Sequence, residues 1–184
     1  MKHRRILGID PGTNIMGFAV LEVQGKTLVV IEMGILYMKN FTEYQEKLKH
    51  IFDELVLIID KYQPDEMALE APFFGKNVQS MLKLGRAQGV AMAAAISRGL
   101  TFEEYAPREI KQSVTGSGSA SKEQVAAMLH TIFKKKLESE YLDAFDALGT
   151  AVCHYFKSSS KLGGKKKYKD WSSFIKDNPK KKAK

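Results

Sequence analysis

Three runs rich in Val, Ile and Leu open the chain, and the turns between them are too short to contain a helix. Residues 5–10, 17–23 and 27–37 have the β-branched and apolar composition that is typical of strands. Asp10-Pro-Gly-Thr13 places Pro and Gly at the two central positions of a type II turn, and Gln24-Gly25 separates the second run from the third. The sequence therefore predicts a meander of three strands.

Helical and strand patterns alternate after this meander. Apolar residues at helical spacing fill residues 41–62, and Leu48, Ile51, Leu55 and Ile58 form one stripe that Pro64 ends. The later predicted elements are a strand at 67–70, a helix at 77–98, a strand at 100–105, a helix behind the capping-box pattern Ser121-Lys-Glu-Gln124, and a last helix at 138–156 with Leu142, Phe145, Val152 and Phe156 on its buried stripe.

This order, βββ-α-β-α-β-α-α, predicts an α/β fold: a five-stranded mixed sheet with helices on both faces. If the first and fourth strands lie side by side and parallel, their carboxyl ends open into one crevice. Open α/β sheets place their sites in such crevices. Asp10 ends the first strand and Glu70 ends the fourth.

Charge divides the chain into two parts. Eleven of the 29 Lys and Arg residues, but only two of the 21 acids, follow Phe156, so the tail carries +9 and the first 156 residues carry −1. We therefore predict one domain over residues 1–157 and a lysine-rich, disordered tail over 158–184. The alternative is that the apolar residues around Trp171 fold back onto the domain. A basic tail favours a polyanionic partner.

We expect a cytoplasmic protein with no membrane partner. Its single cysteine, Cys153, rules out an intramolecular disulfide, and no apolar stretch is long enough to span a bilayer. The start of the chain has a basic flank without the apolar segment of a signal peptide.

Four carboxylates are candidates for one metal site. Asp143 and Asp146 are three residues apart on the last predicted helix, so they face the same way. Packing that helix on the sheet brings both toward Asp10 and Glu70. Four like charges in a small volume repel one another unless protons or cations neutralise them, and magnesium suits such oxygen ligands. Two magnesium ions can drive phosphodiester hydrolysis.

Each acid taken alone also has a structural interpretation. Asp10 suits the turn before Pro11, Asp143 suits the first turn of a helix, and Asp146 suits a solvated helix face. Glu70 is hardest to explain in this way, because it interrupts an apolar strand. Pattern alone therefore leaves both interpretations open.

The chain closely resembles the RuvC family of crossover junction endonucleases. The matching segments cover residues 4 to 156 in order and in spacing, and five in series are highly specific. They are Gly8-Ile-Asp-Pro-Gly-Thr13 with Gly17, Leu69-Glu-Ala-Pro-Phe-Phe-Gly-Lys-Asn77, Lys83-Leu-Gly-Arg-Ala-Gln-Gly89, Lys111-Gln-Ser-Val-Thr-Gly-Ser-Gly-Ser-Ala-Ser-Lys-Glu-Gln-Val125, and Asp143-Ala-Phe-Asp-Ala-Leu148 followed by Cys153-His154.

The resemblance implies a ribonuclease H-like fold and a homodimeric enzyme. It implies magnesium-dependent nicking of two opposed strands of a four-way (Holliday) junction, in DNA recombination and in the repair of DNA damage, with manganese as a substitute metal and a branch-migration helicase as partner. The family's four catalytic acids fall on Asp10, Glu70, Asp143 and Asp146. The loop at 137–141 and the lysine-rich end match no family motif.

The resemblance also implies DNA contacts. Lys111 and Lys122 match lysines that face the scissile DNA, and Lys122, which opens a helix behind a glycine-rich loop, is counted with the catalytic residues. Phe73 and Phe74 follow Glu70, and we expect Phe73 to be exposed against DNA bases and Phe74 to be buried. Lys76 and Asn77 begin the next helix and are candidates for phosphate contacts. Ordinary surface or core positions are the alternative for all six.

Other conspicuous residues have structural interpretations. His154 lies more than two helical turns beyond Asp146, so we expect a structural histidine, and we expect Cys153 to be a small buried side chain. The Gly and Ala residues between Gly85 and Ala95 make the second helix narrow. That narrow helix is either a dimer contact or a tight fit on the sheet.

Two other functions compete with the nuclease. Asp10-Pro-Gly-Thr13 with Gly17 also resembles the first phosphate loop of the actin-like ATPases and sugar kinases, but a second such loop is missing from the sequence. A module that grips branched DNA without cutting it is the other alternative. The presence of all four carboxylates gives no reason to prefer it.

Overall fold

The structure is a computed structural model that describes residues 3–72, 77–134, 137 and 141–162. It contains five strands and five helices within these ranges. The strands are β1 (Arg4–Asp10), β2 (Ile15–Gln24), β3 (Thr27–Tyr37), β4 (Glu66–Glu70) and β5 (Thr101–Tyr105). The helices are α1 (Tyr44–Tyr62), α2 (Val78–Ser97), α3 (Pro107–Thr115), α4 (Lys122–Phe133) and α5 (Leu142–Leu162).

The strands form one mixed sheet in the order β3-β2-β1-β4-β5. The meander β1–β2–β3 is antiparallel, whereas β4 lies parallel to β1 on one side and to β5 on the other. The predicted five-stranded α/β sheet is therefore confirmed, and so is the pairing of the first strand with the fourth.

Helices cover both faces because β1 and β4 alternate their side chains between two apolar cores. Ile6 and Ala68 lie in the core beneath α3, α4 and α5. Leu7, Ile9 and Met67 lie in the core beneath α1 and α2. The prediction that helices cover both faces of the sheet is therefore confirmed.

The sequence did not predict α3. This helix has only nine residues, but it begins with recognisable signals: Pro107 occupies its first turn, and the Glu109 carboxylate accepts a hydrogen bond from the Ala106 N–H at 3.1 Å. The segment was too short for apolar periodicity to reveal it. Helix α3 matters here because it carries Lys111.

The bounds and the buried face of α5 also differ from the prediction. The helix begins at Leu142 rather than at 138, and it continues to Leu162 rather than ending at Phe156. Leu142 and Phe156 are 41% and 38% exposed, so they do not belong to the buried stripe, whereas Phe145 and Val152 do. The helix packs instead through small residues, which bring its backbone close to the sheet. Residues 163–184, most of the predicted tail, lie outside the described residues.

Two glycines set the distance between α5 and the sheet. A Cβ added to Gly8 on β1 would lie 2.1 Å from the Ala147 carbonyl oxygen, and one added to Gly17 on β2 would lie 2.0 Å from the Asp143 carbonyl oxygen. The atoms in the way are helix backbone, which cannot move alone. Glycine at both positions therefore lets α5 lie directly against β1 and β2.

We predict that Gly17→Ala lowers the free energy of unfolding by about 1–3 kcal/mol, because the new methyl group pushes the first turn of α5 off the sheet. Gly149→Ala is the matched control within α5. Its added Cβ meets side-chain carbons at ordinary distances of 3.5 Å or more, so helix propensity makes it neutral or stabilising by up to about 1 kcal/mol. Urea titration of both variants checks this, and equal stabilities would contradict the close-packing argument.

Candidate active site

Two carboxylates lie side by side at one edge of the sheet. The parallel register pairs Ile9 of β1 with Leu69 of β4, so the next residues, Asp10 and Glu70, follow on neighbouring strands at the carboxyl end. The sequence predicted this placement on the condition that the first and fourth strands pair in parallel, and the sheet meets that condition. Both side chains are half-buried at the mouth of the crevice.

The first turns of α5 complete the acidic group. Carboxylate oxygens of Asp10, Asp143 and Asp146 all lie within 4.8 Å of one another. Asp143 reaches this position because its backbone packs against Gly17, next to the strand that carries Asp10. Glu70 is not part of this closest group, but it lines the same cavity as Asp10 and Asp146.

The acids open into a cavity of about 500 Å³. Its walls combine the acidic strand ends with the first turns of α3 and α4. The lining residues are Asp10, Glu70, Ala106, Pro107, Arg108, Ile110, Lys111, Gly118, Lys122, Val125 and Asp146.

Lys122 is held against the acids by the start of α4. The predicted capping box is present, since the Ser121 N–H donates to the Gln124 side chain at 2.8 Å and the Gln124 N–H donates to the Ser121 hydroxyl at 3.3 Å. This cap fixes the first turn of the helix, where Lys122 stands. Its ammonium donates a hydrogen bond to Asp146 and lies 3.9 Å from an oxygen of Asp143.

Burial and the neighbouring acids raise the pKa values of Asp10 and Glu70. Burial, followed by the charges of Glu70 and Asp146, raises the pKa of Asp10 from 3.8 to about 8, against a smaller opposing effect of Lys122. Burial and then the charge of Asp146 raise the pKa of Glu70 from 4.5 to about 7, although Lys122 and Lys111 oppose the shift. Without a cation, the fold therefore disfavours full ionisation of this group.

Lys122 responds in the opposite direction. Partial burial works to lower its pKa, but the hydrogen bond to Asp146 and the surrounding negative charges outweigh burial, so the pKa lies above its usual value. Lys122 therefore stays protonated at neutral pH and partly compensates the acidic group.

A cationic side chain that the sequence did not single out lies in the same wall. Arg108, in the first turn of α3, lines the cavity together with Lys111. A Cβ added to Gly118 would lie 2.6 Å from Cγ of Arg108, so glycine in the loop before α4 makes room for this arginine. Because α3 was not predicted, Arg108 was missed as well.

The remaining predicted DNA-contacting residues have different outcomes. Phe73, Phe74 and Lys76 lie outside the described residues, so their roles stay predictions. Asn77 is the N-cap of α2 and accepts a hydrogen bond from the Ser80 N–H at 3.1 Å. The capping role of Asn77 does not test its predicted contact with a DNA phosphate, which stays a prediction.

His154 and Cys153 are structural residues, as predicted. The His154 ring is buried, with Nδ1 at 2.9 Å from the Tyr105 hydroxyl and Nε2 at 2.6 Å from the Glu66 carboxylate. The Cys153 thiol is fully buried and lies 3.2 Å from the Ser113 hydroxyl. Neither residue lines the acidic cavity.

Comparison with known proteins agrees with this site. The model of the family described as crossover junction endodeoxyribonuclease RuvC matches residues 6–154. The chain belongs to the RuvC family. The match includes all four carboxylates, and it excludes the alternative of an actin-like ATPase or sugar kinase.

Curated RuvC proteins match nearly the whole chain. The crossover junction endodeoxyribonuclease RuvC of Cytophaga hutchinsonii is 57% identical over 177 residues, which are 96% of this chain and 86% of the relative. That of Christiangramia forsetii is 53% identical over 179 residues, 97% of this chain and 93% of the relative.

A solved structure of Thermus thermophilus RuvC in complex with Holliday junction substrate is similar in fold, with a TM-score of 0.81 and 28% identity over 86% of this chain and 97% of that chain. A second structure of Thermus thermophilus RuvC gives a TM-score of 0.78 and 28% identity over 85% of this chain and 96% of that chain. The ribonuclease H-like fold is thus confirmed.

RuvC membership makes the chain an endodeoxyribonuclease, a hydrolase of DNA phosphodiester bonds that resolves Holliday junctions. The family is metal-dependent, and the acidic group provides a matching ligand set. In the part of the chain that the structure describes, none of the helices is long and apolar enough to cross a membrane.

We predict that Asp10→Asn raises the melting temperature of the protein in chelator, and by more at pH 8 than at pH 5. The unfolded carboxyl ionises near pH 4 and the folded one only near pH 8, so the wild type loses stability as the pH rises between these values. The neutral amide does not. We expect the melting-temperature gain of the variant over the wild type at pH 8 to exceed its gain at pH 5 by about 3 °C or more.

Asp53→Asn is the control for this measurement. Asp53 is an exposed acid of α1 that pairs with Lys49, far from the acidic group in sequence. Scanning fluorimetry at both pH values should give Asp53→Asn the same small difference from wild type. A pH-independent effect of Asp10→Asn would contradict the repulsion between the clustered acids.

Proposed function

We propose that Asp10, Glu70, Asp143 and Asp146 form the catalytic centre of this resolvase and hold two magnesium ions, for which manganese can substitute. The observation that carries the proposal is the convergence of three aspartate oxygens within 4.8 Å beside Glu70. All donors are carboxylate oxygens, the hard ligands that magnesium prefers. When bound, the metal supplies activation of water and stabilisation of the leaving oxygen.

The cations around the acids have the complementary task of holding the DNA strand. Lys111 and Arg108, both on α3, line the same cavity as the acidic strand ends. Their charges face a phosphodiester that enters the cavity and keep it within reach of the carboxylates. Lys122 remains protonated in the apo site, so it is suited to stabilise negative charge at the scissile phosphate and to donate a proton to the leaving oxygen.

We infer that the substrate is a four-way DNA junction, cut by symmetric nicks in two opposed strands. Two opposed cuts need two active sites, and one chain contains a single acidic group among its described residues. A homodimer meets this need, because a twofold axis places two equal sites on the two equivalent strands.

Helix α2 carries the surface that we assign to this dimer. Its small residues lie on two opposite faces: Ala87 and Ala91 are buried in the core, whereas Gly85 and Gly89 face open space. The first pair makes the tight fit on the sheet, and the dimer contact is proposed for the second. The outward face also exposes apolar side chains, two of them one turn apart at the start of the helix and one near its end. These are Val78 (65% exposed), Leu82 (50%) and Ile96 (63%).

Such a stripe suits packing against a second copy of the same helix. The two glycines lie four residues apart and let another helix approach closely, while the larger side chains on either side supply apolar area. An isologous interface of this kind uses the same patch twice, so one helix face is enough.

We predict that Leu82→Glu converts the dimer to a monomer in analytical ultracentrifugation, because each interface would bury two carboxylates. Cleavage by the variant should be unpaired, with single nicks in place of resolution. Leu57→Glu is the control, since Leu57 is 59% exposed on α1 and lies outside the stripe. A dimer that survives Leu82→Glu would refute this interface.

We predict that Asp10→Asn, Glu70→Gln and Asp143→Asn each reduce single-turnover cleavage of a synthetic four-way junction at least about a hundredfold. Asp146→Asn should also be severely impaired. Junction binding should be retained or tightened, since a negative charge near DNA is removed. Asp53→Asn should cleave like the wild type.

Gel assays with magnesium and with a chelator separate the outcomes. Near-normal cleavage by any of the first three variants would place the metal site elsewhere. A wild-type protein that binds the junction with magnesium but never nicks it would instead support the alternative of a binding module.

The wider setting follows from the substrate. We propose that the enzyme acts in the cytoplasm, where bacterial relatives of this kind would meet chromosomal DNA, in recombination and repair. We further propose a branch-migration helicase as partner, on the ground of the family resemblance alone.

A further inference from the structure

A second polar cleft lies at the same edge of the sheet as the acidic cavity, but beside α1 and α2. It has a volume of about 320 Å³. Its lining residues are all hydroxyl, amide or ammonium side chains: Thr13, Asn14, Thr42, Tyr44, Lys47, Ser80 and Lys83. The walls contain two cations and no carboxylate.

The two lysines of the cleft keep their charges available. Among the described residues, no carboxylate forms an ion pair with Lys47 or Lys83. Lys47 donates one hydrogen bond, to Oδ1 of Asn14 at 2.8 Å, which leaves two of its three N–H donors for a ligand. Lys83 is exposed on the second turn of α2. Two ammonium groups that line one cleft repel each other unless an anion lies near both. The convergence of Lys47 and Lys83 therefore indicates an anion-binding cleft.

The cleft is held in shape by contacts between its three walls. The Tyr44 hydroxyl, at the start of α1, donates to the Lys83 carbonyl at 2.6 Å and ties the first turn of α1 to the second turn of α2. The Met38 N–H donates to the Asn14 carbonyl at 2.8 Å and fixes the loop after β1. The amino-terminal turns of both helices therefore face one space, and their dipoles add to the positive potential of the lysines.

The cleft lies close to the acids along the chain. Thr13 follows Asp10 by three residues, so their Cα atoms are at most about 11 Å apart. Successive nucleotides rise about 3.4 Å along one DNA strand. Because phosphates lie farther apart along the strand than this axial rise, a strand that crosses the acidic cavity can place a phosphate in the cleft within about three nucleotides of the cut.

We propose that this cleft binds a backbone phosphate of the junction, a few nucleotides from the cut. The proposal rests on the proposed function and adds a second grip on the strand. Its donors are ammonium, hydroxyl and side-chain amide groups, which suit phosphate oxygens and carry no information about bases. The cleft therefore fixes the register of the strand over the carboxylates and is blind to sequence.

The test replaces single phosphates by neutral methylphosphonates in a synthetic four-way junction, one position at a time from one to five nucleotides on either side of the cut. Binding is measured in chelator, so cleavage does not interfere. For the wild type, one position should weaken binding about fivefold. For the double variant Lys47→Gln/Lys83→Gln, the same position should have no effect, because the partners of that phosphate are gone.

Lys26→Gln is the matched control, since Lys26 lies in the β2–β3 turn at the opposite end of the sheet. It should retain the wild-type response at every position. The slope of log affinity against log salt should fall by about 0.9 in the double variant, as expected when one phosphate contact is lost. Melting temperatures check that the variants are folded. If the double variant is unstable, the single variant Lys83→Gln is measured in its place.

Two results would overturn the proposal. One is a methylphosphonate response that is the same in the wild type and in the double variant at all positions. The other is an unchanged salt slope in the double variant. Neither result bears on the catalytic proposal, which is judged separately by magnesium-dependent cleavage of the unmodified junction by the wild type.

Discussion

The direct contact of α5 with the sheet is the constraint on which the active site depends. Asp10 and Glu70 are placed by strand pairing, but Asp143 and Asp146 reach them only because the backbone of α5 lies directly against β1 and β2 at two glycines. Gly8 and Gly17 permit that approach, and Ala147 and Ala151 line the helix side of it. A helix seated on larger side chains would sit farther from the sheet, and its two acids would stand away from the strand ends.

This packing creates a cost that the site must offset. Burial at the crevice, followed by the charges of neighbouring acids, raises the pKa of Asp10 to about 8 and that of Glu70 to about 7, so the apo protein near neutral pH holds protons that a metal ion would displace. Lys122, bonded to Asp146, supplies part of the missing positive charge. The repulsion among the acids therefore favours the binding of divalent cations, because these ions neutralise the negative charge that Lys122 compensates only in part.

The sequence predicted the elements whose signals are local and regular. The meander, the alternation that follows it and the positions of Asp10 and Glu70 all derive from strand runs and turn residues, and the fold confirmed them. The buried face of α5 was predicted only in part. Phe145 and Val152 are buried, but Leu142 and Phe156 are exposed, because the close approach of the helix to the sheet required small residues. Helix α3 was missed because nine residues give too little periodicity, and with it Arg108 was missed. The cleft around Lys47 and Lys83 joins positions 36 residues apart, which only the fold brings together.

The distribution of charge explains how a domain with a net charge of −1 can hold a polyanion. Three of its acids are paired with cations away from the site: Glu22 with Arg5, Glu66 with Arg4 and His154, and Asp60 with Arg98. The cations that face the carboxyl edge of the sheet are of another kind, since Lys111 and Arg108 line the acidic cavity and Lys47 and Lys83 line the neighbouring cleft. A DNA strand therefore meets positive charge on both sides of the acidic group, and the acids themselves attract metal ions that reverse their sign. Net charge is a poor guide here because binding depends on which face the charges occupy.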